Sequence, residues 1–237
     1  DGQLISQGVY TAGHLGSMPL SLTKILDDYF PPDEWAPGDI VVTNDPYLNS
    51  GHLPDFFTYE PVFVEGDLVA FCVTTGHQTD IGGSAPGSYT MEVSDVYGEG
   101  LQLPPVKVWR EGTIRDDILK IILKNSRVPK QLRGDLRAHR GASRVGKEQL
   151  TSLISQYGIR TYRRYVNELI ARTETAMRKA IRRVPDGTAS FTDRLDGFDD
   201  PLPVAAEVTV EGDSIQVDFD GTAPQQAGYA INCPANY

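Results

Sequence analysis

Two short stretches of the sequence each pair a histidine with an aspartate three residues further on. The first carries His52 and Asp55, and the second carries His77 and Asp80. Imidazole nitrogens and carboxylate oxygens bind divalent metals and transfer protons, so these residues are the first candidates for chemistry. Neither stretch has a clear helical pattern, so the spacing does not indicate the helical zinc site of a metalloprotease.

The segment between these stretches predicts a β-hairpin. Two β-rich runs, residues 56–64 and 68–75, flank a short loop centred on Gly66. With Gly66 as the midpoint, Asp55 faces His77, and by the same count His52 faces Asp80. A bulge in either strand would shift this register by one residue.

In that register, all four groups lie at the open end of the hairpin, with the Cβ atoms of facing residues about 5 Å apart. Two imidazoles with one or two carboxylates form a mixed nitrogen and oxygen donor set. Such a set suits Zn, Mn or Fe(II) better than Mg or Ca, because Mg and Ca prefer oxygen ligands. The spacing alone is also compatible with ordinary loop histidines that are hydrogen-bonded to nearby carboxylates, so both interpretations stay open.

Three other features belong with these pairs. His14 has no carboxylate near it in the sequence, which favours a structural role, with a pocket-lining role as the alternative. Residues 81–88 are rich in glycine, which lets backbone N–H groups approach an anion or a substrate, although the lysine of a phosphate-binding loop is absent. His139 lies among arginines in a helical segment, where we predict a solvated side chain.

The elements that must position these residues fall into three predicted sections. Residues 1–112 mix helical and β patterns and carry the candidate site, residues 113–185 form a basic helical section, and residues 186–237 return to β structure with a second hairpin. We therefore expect an α+β fold with mixed or antiparallel sheets and β-hairpins around a central helical section.

The charge follows nearly the same division. Residues 1–110 carry 15 acidic and 3 basic side chains, residues 111–185 carry 7 and 18, and residues 186–237 carry 10 and 1, which together give the net charge of −10. The basic section is expected to present no exposed aromatic residues between its basic side chains, and it carries no known nucleic-acid-binding motif. We therefore expect it to face an acidic protein surface rather than nucleic acid.

Composition sets further bounds on the class of protein. An apolar share of 40% with 23% charged residues is typical of a globular protein, and no apolar run approaches the ~20 residues of a membrane span. Cys72 and Cys233 have no metal-binding spacing and do not suggest a disulfide framework, so we expect a cytoplasmic protein. Because the chain starts without an initiating Met or a leader and stops without a helix cap or a polar tail, it is expected to be truncated at both ends.

Further short motifs accompany the two His/Asp pairs. In chain order they are Thr43-Asn44-Asp45-Pro46-Tyr47, His52-Leu53-Pro54-Asp55, His77-Gln78-Thr79-Asp80-Ile81-Gly82-Gly83, Pro86-Gly87-Ser88, Glu99-Gly100-Leu101, Leu103-Pro104-Pro105-Val106, Arg127-Val128-Pro129, Gly134-Asp135-Leu136-Arg137-Ala138, Asp220-Gly221-Thr222 and Ile231-Asn232-Cys233-Pro234. In identity and order this series closely resembles the hydantoinase B/oxoprolinase family.

The resemblance implies a two-component enzyme. The family includes the B subunits of ATP-dependent N-methylhydantoinases, the C-terminal half of 5-oxoprolinase and the matching subunits of acetone and acetophenone carboxylases. A hydantoinase A-type partner would bind ATP with Mg and phosphorylate the carbonyl oxygen of the substrate. The B-type component would carry a divalent metal, Mn, Zn or Fe, and complete hydrolysis of a small cyclic amide.

By motif match, the resemblance makes His52, Asp55 and His77 the metal ligands, and it places a further carboxylate ligand in a segment before Asp1. Other candidates are expected to support the imidazoles by hydrogen bonds or to line the substrate pocket. These are Asp80, Asp45, His14, Gly82 and Gly83.

The expected function is therefore that of a part of a hydantoinase B-type subunit in an ATP-dependent hydrolase of hydantoins or 5-oxoproline. Two alternatives stay open. One is the corresponding subunit of an ATP-dependent ketone carboxylase. The other is a non-catalytic assembly module whose basic helices, within residues 113–184, dock a partner subunit.

Overall fold

The computed structural model describes residues 2–8, 12–49, 51–90, 92–197 and 200–226, so the motif at residues 231–234, which contains Cys233, lies outside the described residues. The helices are α1 (Ser17–Asp28), α2 (Asp116–Asn125), α3 (Pro129–Tyr157) and α4 (Ile159–Ile181). The strands are β1 (Ile40–Thr43), β2 (Asp55–Val64), β3 (Asp67–His77), β4 (Val106–Arg110), β5 (Thr113–Ile114), β6 (Gly187–Leu195), β7 (Leu202–Glu211) and β8 (Ser214–Asp218).

The strands form two antiparallel sheets, which confirms the predicted α+β class. One sheet has the order β3-β2-β1-β4-β5 and the other has the order β6-β7-β8. The described residues group into two compact units that divide between residues 159 and 160. The three sections of the Sequence analysis, residues 1–112, 113–185 and 186–237, have other boundaries, and they stay a prediction.

Helices cover both faces of the five-stranded sheet in the first unit. On one face, Ile25 of α1 packs in a buried cluster with Val41 and Phe57. On the other face, Ile122 of α2 and Leu136 of α3 pack in a second cluster. Because consecutive residues of a strand point to opposite faces, β1 and most of β2 are buried on both sides, and this gives the candidate site a rigid support.

The tip of the β2–β3 hairpin is tighter than the sequence suggested. Val64 pairs with Asp67, which leaves a two-residue loop of Glu65 and Gly66. Both loop residues have positive φ, +54° and +92°, as the tight turn that matches the twist of the strands requires. The centre of the turn therefore lies between Glu65 and Gly66, and the predicted midpoint at Gly66 is wrong by half a residue.

A bulge in β3 restores the predicted register over the rest of the hairpin. Phe63 pairs with Leu68 but Val62 pairs with Ala70, so Val69 is an extra residue on β3. From Val62 onward the pairing is the predicted one and ends with Asp55 opposite His77. Since a one-residue slip turns a side chain to the other face, this bulge puts His77 on the same face of the sheet as Asp55.

Helix α3 lies against β2 and β3, and one prediction about it is wrong. His139 is buried rather than solvated, because it follows Leu132 and Leu136 at helical spacing and so falls on the inward stripe. Gln78 Nε2 donates to its Nε2 at 3.3 Å, so Nδ1 carries the proton and donates to Thr74 Oγ1 at 2.8 Å.

The second unit contains α4 and the three-stranded sheet. The predicted second hairpin is present, with Glu211 paired to Ser214 across a loop of Gly212 and Asp213. Asp213 forms ion pairs with Arg178 and Arg182 of α4. Across the described ranges, no helix combines the length and the apolar character that a bilayer crossing requires.

Candidate metal centre

The hairpin brings the three predicted ligands together at its open end. Asp55 begins β2, His77 ends β3, and His52 lies in the turn that leads into β2. The Asp55 carboxylate lies between the two imidazoles: Oδ2 is 2.7 Å from His52 Nε2 and Oδ1 is 3.2 Å from His77 Nδ1. The Asp55 side chain is 11% exposed, whereas those of His52 and His77 are 38% and 52% exposed, so the cluster opens toward solvent on its histidine side.

The distances fit a shared divalent ion. The two imidazole nitrogens that face each other, His77 Nδ1 and His52 Nε2, are 3.4 Å apart, and one ligand atom from each of the three residues lies within 4.8 Å of the others. Ligands about 2.1 Å from one ion are separated by roughly 3.0–3.4 Å in octahedral or tetrahedral geometry. Two ring nitrogens and a carboxylate oxygen also match the donor preference of Zn, Mn or Fe(II).

His14 lies on the buried side of the same cluster. Its Nε2 is 3.9 Å from Asp55 Oδ2, and its ring packs edge to face on Phe57 with the centroids 5.2 Å apart. Both a structural and a pocket-lining role stay predictions for this residue. Its proximity to Asp55 had no local signal in the sequence, because the two residues are 41 positions apart.

Asp80 does not face His52, so this part of the predicted cluster is wrong. The strand pairing ends at Asp55 and His77, and the chain then turns away. The Asp80 carboxylate accepts hydrogen bonds from the backbone N–H groups of Gly82, Gly87 and Arg127 and from the Arg127 guanidinium, at 2.9–3.0 Å. Burial raises the pKa of Asp80, but these hydrogen bonds outweigh it and hold the pKa below its usual value.

The Gly-rich run after β3 folds into an ordered loop that Arg127 holds in place. The Arg127 guanidinium donates to the carbonyls of Gly82, Gly83 and Ala85. Gly82 and Gly83 adopt φ of +98° and +80°, and a Cβ at either position would come within 2.7 Å of a neighbouring carbonyl oxygen. Close packing therefore accounts for both glycines, and their pocket-lining role stays a prediction.

The Thr43–Tyr47 motif contains two polar residues near the candidate site, and the supporting or pocket-lining role of Asp45 stays a prediction. Asp45 Oδ1 accepts a hydrogen bond from the Tyr47 N–H at 2.9 Å, which stabilises a local turn. The preceding Asn44 is buried, and its amide bonds Leu53 O at 2.7 Å, Leu101 O at 2.8 Å and the N–H of Leu103 at 2.6 Å. Asn44 thus fixes the turn that carries His52. The sequence did not indicate this role, because Asn44 stood out only as one member of a family motif.

The candidate site is thus a His/Asp cluster at the open end of the β2–β3 hairpin, at one edge of a five-stranded antiparallel sheet. The chain belongs to the hydantoinase B/oxoprolinase family, whose family model matches residues 1–237. This confirms the resemblance recognised in the sequence motifs.

Among relatives, the beta subunit of the caprolactamase of Pseudomonas jessenii is 38% identical over 234 residues, which are 97% of this chain and 39% of that protein. The B subunit of a putative D-/L-hydantoinase of Pseudomonas sp. strain NS671 is 37% identical over 210 residues, which are 85% of this chain and 36% of that protein. The chain thus spans about two fifths of the length of these curated relatives.

Two solved structures share the fold. The crystal structure of the ATP-dependent caprolactamase of P. jessenii matches with a TM-score of 0.86 and 37% identity, covering 94% of this chain and 38% of that chain. A nucleotide-free acetone carboxylase structure matches with a TM-score of 0.80 and 21% identity, covering 88% of this chain and 30% of that chain. At that identity the second likeness shows the fold alone.

Proposed function

We propose that this chain is part of a B-type subunit of an ATP-dependent cyclic amide hydrolase and that His52, Asp55 and His77 hold its divalent metal. The observation that carries the proposal is the convergence of these three side chains within a chain of the hydantoinase B/oxoprolinase family. The proposed substrates are small cyclic amides of the hydantoin, 5-oxoproline or lactam class.

The residues of this chain have distinct tasks in the proposed reaction. The buried Asp55 carboxylate supplies the negative charge that attracts a cation, and the two imidazoles supply neutral donors on its open side. When bound, the metal, Zn, Mn or Fe, supplies Lewis-acid activation of a carbonyl or a water molecule. The exposure of His77 leaves that side accessible to a substrate, while β2 and β3 hold the ligands in place.

ATP enters this proposal through a partner. The sequence contains no recognisable ATP-binding motif, and the relatives named above are the beta subunit and the B subunit of their enzymes. We therefore assign ATP and Mg to a hydantoinase A-type subunit or domain. A cytoplasmic location stays a prediction.

The comparisons favour hydrolysis over ketone carboxylation as the proposed reaction. The caprolactamase and hydantoinase subunits are 38% and 37% identical to this chain, whereas the acetone carboxylase likeness rests on 21% identity. The third possibility, a non-catalytic assembly module, predicts that the His/Asp cluster binds no metal. Metal analysis therefore separates it from the two enzymatic alternatives.

The first test measures metal content and ring opening in the full-length subunit assembled with its A-type partner. We expect near one equivalent of Zn, Mn or Fe by plasma mass spectrometry, and ATP-dependent opening of a hydantoin, 5-oxoproline or caprolactam. His77→Ala should lose the metal and at least about 100-fold in rate, since it removes one of three ligands. Glu92→Gln, which alters an exposed carboxylate that is not one of the three clustered residues, is the control.

Each contrary result has a defined meaning. A wild-type protein without metal would remove the ligand assignment and favour the assembly module. A reaction that requires bicarbonate and consumes a ketone would replace hydrolysis by carboxylation. Full metal retention by His77→Ala would show that the ion lies elsewhere.

A further inference from the structure

A buried glutamine, Gln78, follows the candidate ligand His77 at the point where β3 ends. Its backbone N–H donates to Pro54 O at 2.8 Å, and its side-chain Nε2 donates to Gly76 O at 2.8 Å. These two carbonyls belong to the residues directly before Asp55 and His77. One residue therefore holds the chain beside both ligands.

Strand pairing gives no support beyond this point. Asp55 and His77 are the last pair between β2 and β3, and β3 is the edge strand of its sheet. The end of an edge strand opens easily, because water competes there for the hydrogen bonds of the backbone. The two bonds of Gln78 take the place of the next pair of the ladder.

Helix α3 holds the Gln78 side chain from the other side. Gln78 Nε2 also donates to His139 Nε2 at 3.3 Å, and the His139 Nδ1–H donates to Thr74 Oγ1 at 2.8 Å. The glycine at position 76 makes room for this imidazole, since a Cβ there would lie 3.0 Å from two atoms of the His139 ring. Gln78 thus links the end of β3 to a helix that packs on the hairpin.

The burial of this amide is unfavourable for stability. Gln78 Oε1 is buried and has no hydrogen-bond partner among the residues that the structure describes. A buried polar atom without a partner destabilises a fold, so an apolar side chain would fill the same space more favourably. Residues that break such packing rules are found chiefly at functional sites.

We propose that Gln78 is a positioning residue of the metal site, which holds the start of β2 and the end of β3 so that Asp55 and His77 face one ion. Gln78 has this role only if His52, Asp55 and His77 hold a metal, as proposed above, and it lies outside that ligand set. Groups that orient metal ligands without touching the metal typically change its affinity about 10–100-fold when they are removed.

The test measures the zinc affinity of the full-length protein in competition with a chromogenic chelator. Gln78→Met keeps the length of the side chain but donates no hydrogen bond, and it should raise the zinc dissociation constant about 10-fold. Gln131→Met is the matched control. Gln131 Nε2 donates to Thr79 Oγ1 at 2.6 Å, so this change also removes a bond between α3 and the segment after β3, but not one beside a ligand. It should bind zinc like the wild type.

A double variant separates positioning from stability. Gln78→Met alone leaves His139 Nε2 without its donor, which should lower the melting temperature of the zinc-free protein. When His139→Leu is added, both partners of that bond are apolar, so the melting temperature should recover toward that of the wild type. The zinc affinity should stay about 10-fold lower, because neither apolar side chain holds Gly76 O.

Recovery of both properties in the double variant would show that Gln78 acts only through stability, and it would overturn the positioning role. Unchanged zinc affinity in Gln78→Met would also overturn that role, while leaving the metal site intact. A wild-type protein that binds no zinc would overturn both the metal site and the role of Gln78.

Discussion

Among single residues, Asp55 lies at the centre of the cluster, with three of the four histidines within 4 Å of its carboxylate. His52 and His77 contact its two oxygens, and His14 approaches from the buried side at 3.9 Å. A carboxylate in this position is mostly removed from water, and a buried charge requires compensation by a cation or by donors. The arrangement therefore favours a positive charge at the centre of the cluster.

His139 provides a prediction at the same scale. Burial lowers the pKa of its imidazole, with Asp135 acting in the opposite direction, so the folded protein favours the neutral ring. On acidification the unfolded chain takes up a proton near its ordinary pKa of about 6.5, while the folded protein resists protonation until the pH is lower. Stability should therefore fall as the pH drops from about 6.5 toward the lowered pKa of the folded state.

Urea unfolding at about pH 7.5 and about pH 5.5, on either side of the ordinary imidazole pKa, checks this expectation. The wild type should lose more unfolding free energy between these two conditions than His139→Gln, which cannot bind the proton. Equal pH dependence in the two proteins would contradict the assignment of a neutral buried His139.

At the scale of elements, the β2–β3 hairpin combines a tight turn with a bulge, and the sequence pattern indicates only their combined effect on the register. The loop of Glu65 and Gly66 alone would set a register in which Asp55 faces Gly76, and the bulge at Val69 moves the pairing by one place. Only the sum of turn and bulge puts Asp55 opposite His77.

Deletion of Val69 should leave the site assembled, because it removes the bulge and shortens β3 by one residue at the same time. Without the extra residue, the register of the tight turn continues along the whole hairpin and still pairs Asp55 with His77. We expect metal content to match the wild type. The double deletion of Val69 and Ala70 should abolish metal binding, because it displaces His77 by one place and turns it to the other face.

Plasma mass spectrometry and thermal unfolding of both deletion variants decide the outcome. Loss of metal on the single deletion, in a protein that still unfolds cooperatively, would show that the bulge has a role beyond register.

At the scale of the whole molecule, metal binding and ATP use belong to different parts of the proposed enzyme. The three proposed ligands in this chain come from a single hairpin and the turn before it, and the further carboxylate that the resemblance implies would come from the same subunit. ATP use is assigned to the A-type partner. The two properties should therefore separate when the subunits are separated.

The full-length B-type component alone should bind metal but hydrolyse no ATP, and the partner should restore ATP hydrolysis that depends on substrate. A coupled phosphate-release assay on each component and on the mixture measures this. ATP hydrolysis by the isolated B-type component would contradict the division of labour proposed here.

The sequence predicted what depends on neighbouring residues. Alternating and β-rich runs around a short loop defined the hairpin, and the hairpin brought Asp55 to His77 without knowledge of the rest of the chain. The helical pattern of residues 113–185 likewise indicated the section that α2, α3 and α4 occupy. The family followed from the order of the motifs.

Only the tertiary structure decided the contacts between distant segments. Asp80 meets Arg127 from 47 positions away, and Asn44 meets Leu101 from 57 positions away. His139 is buried because α3 packs on β3, and His14 reaches Asp55 because its ring packs on Phe57 of β2. Local patterns record propensity and periodicity, whereas the pairing of remote polar groups depends on how the layers pack, which no single segment encodes.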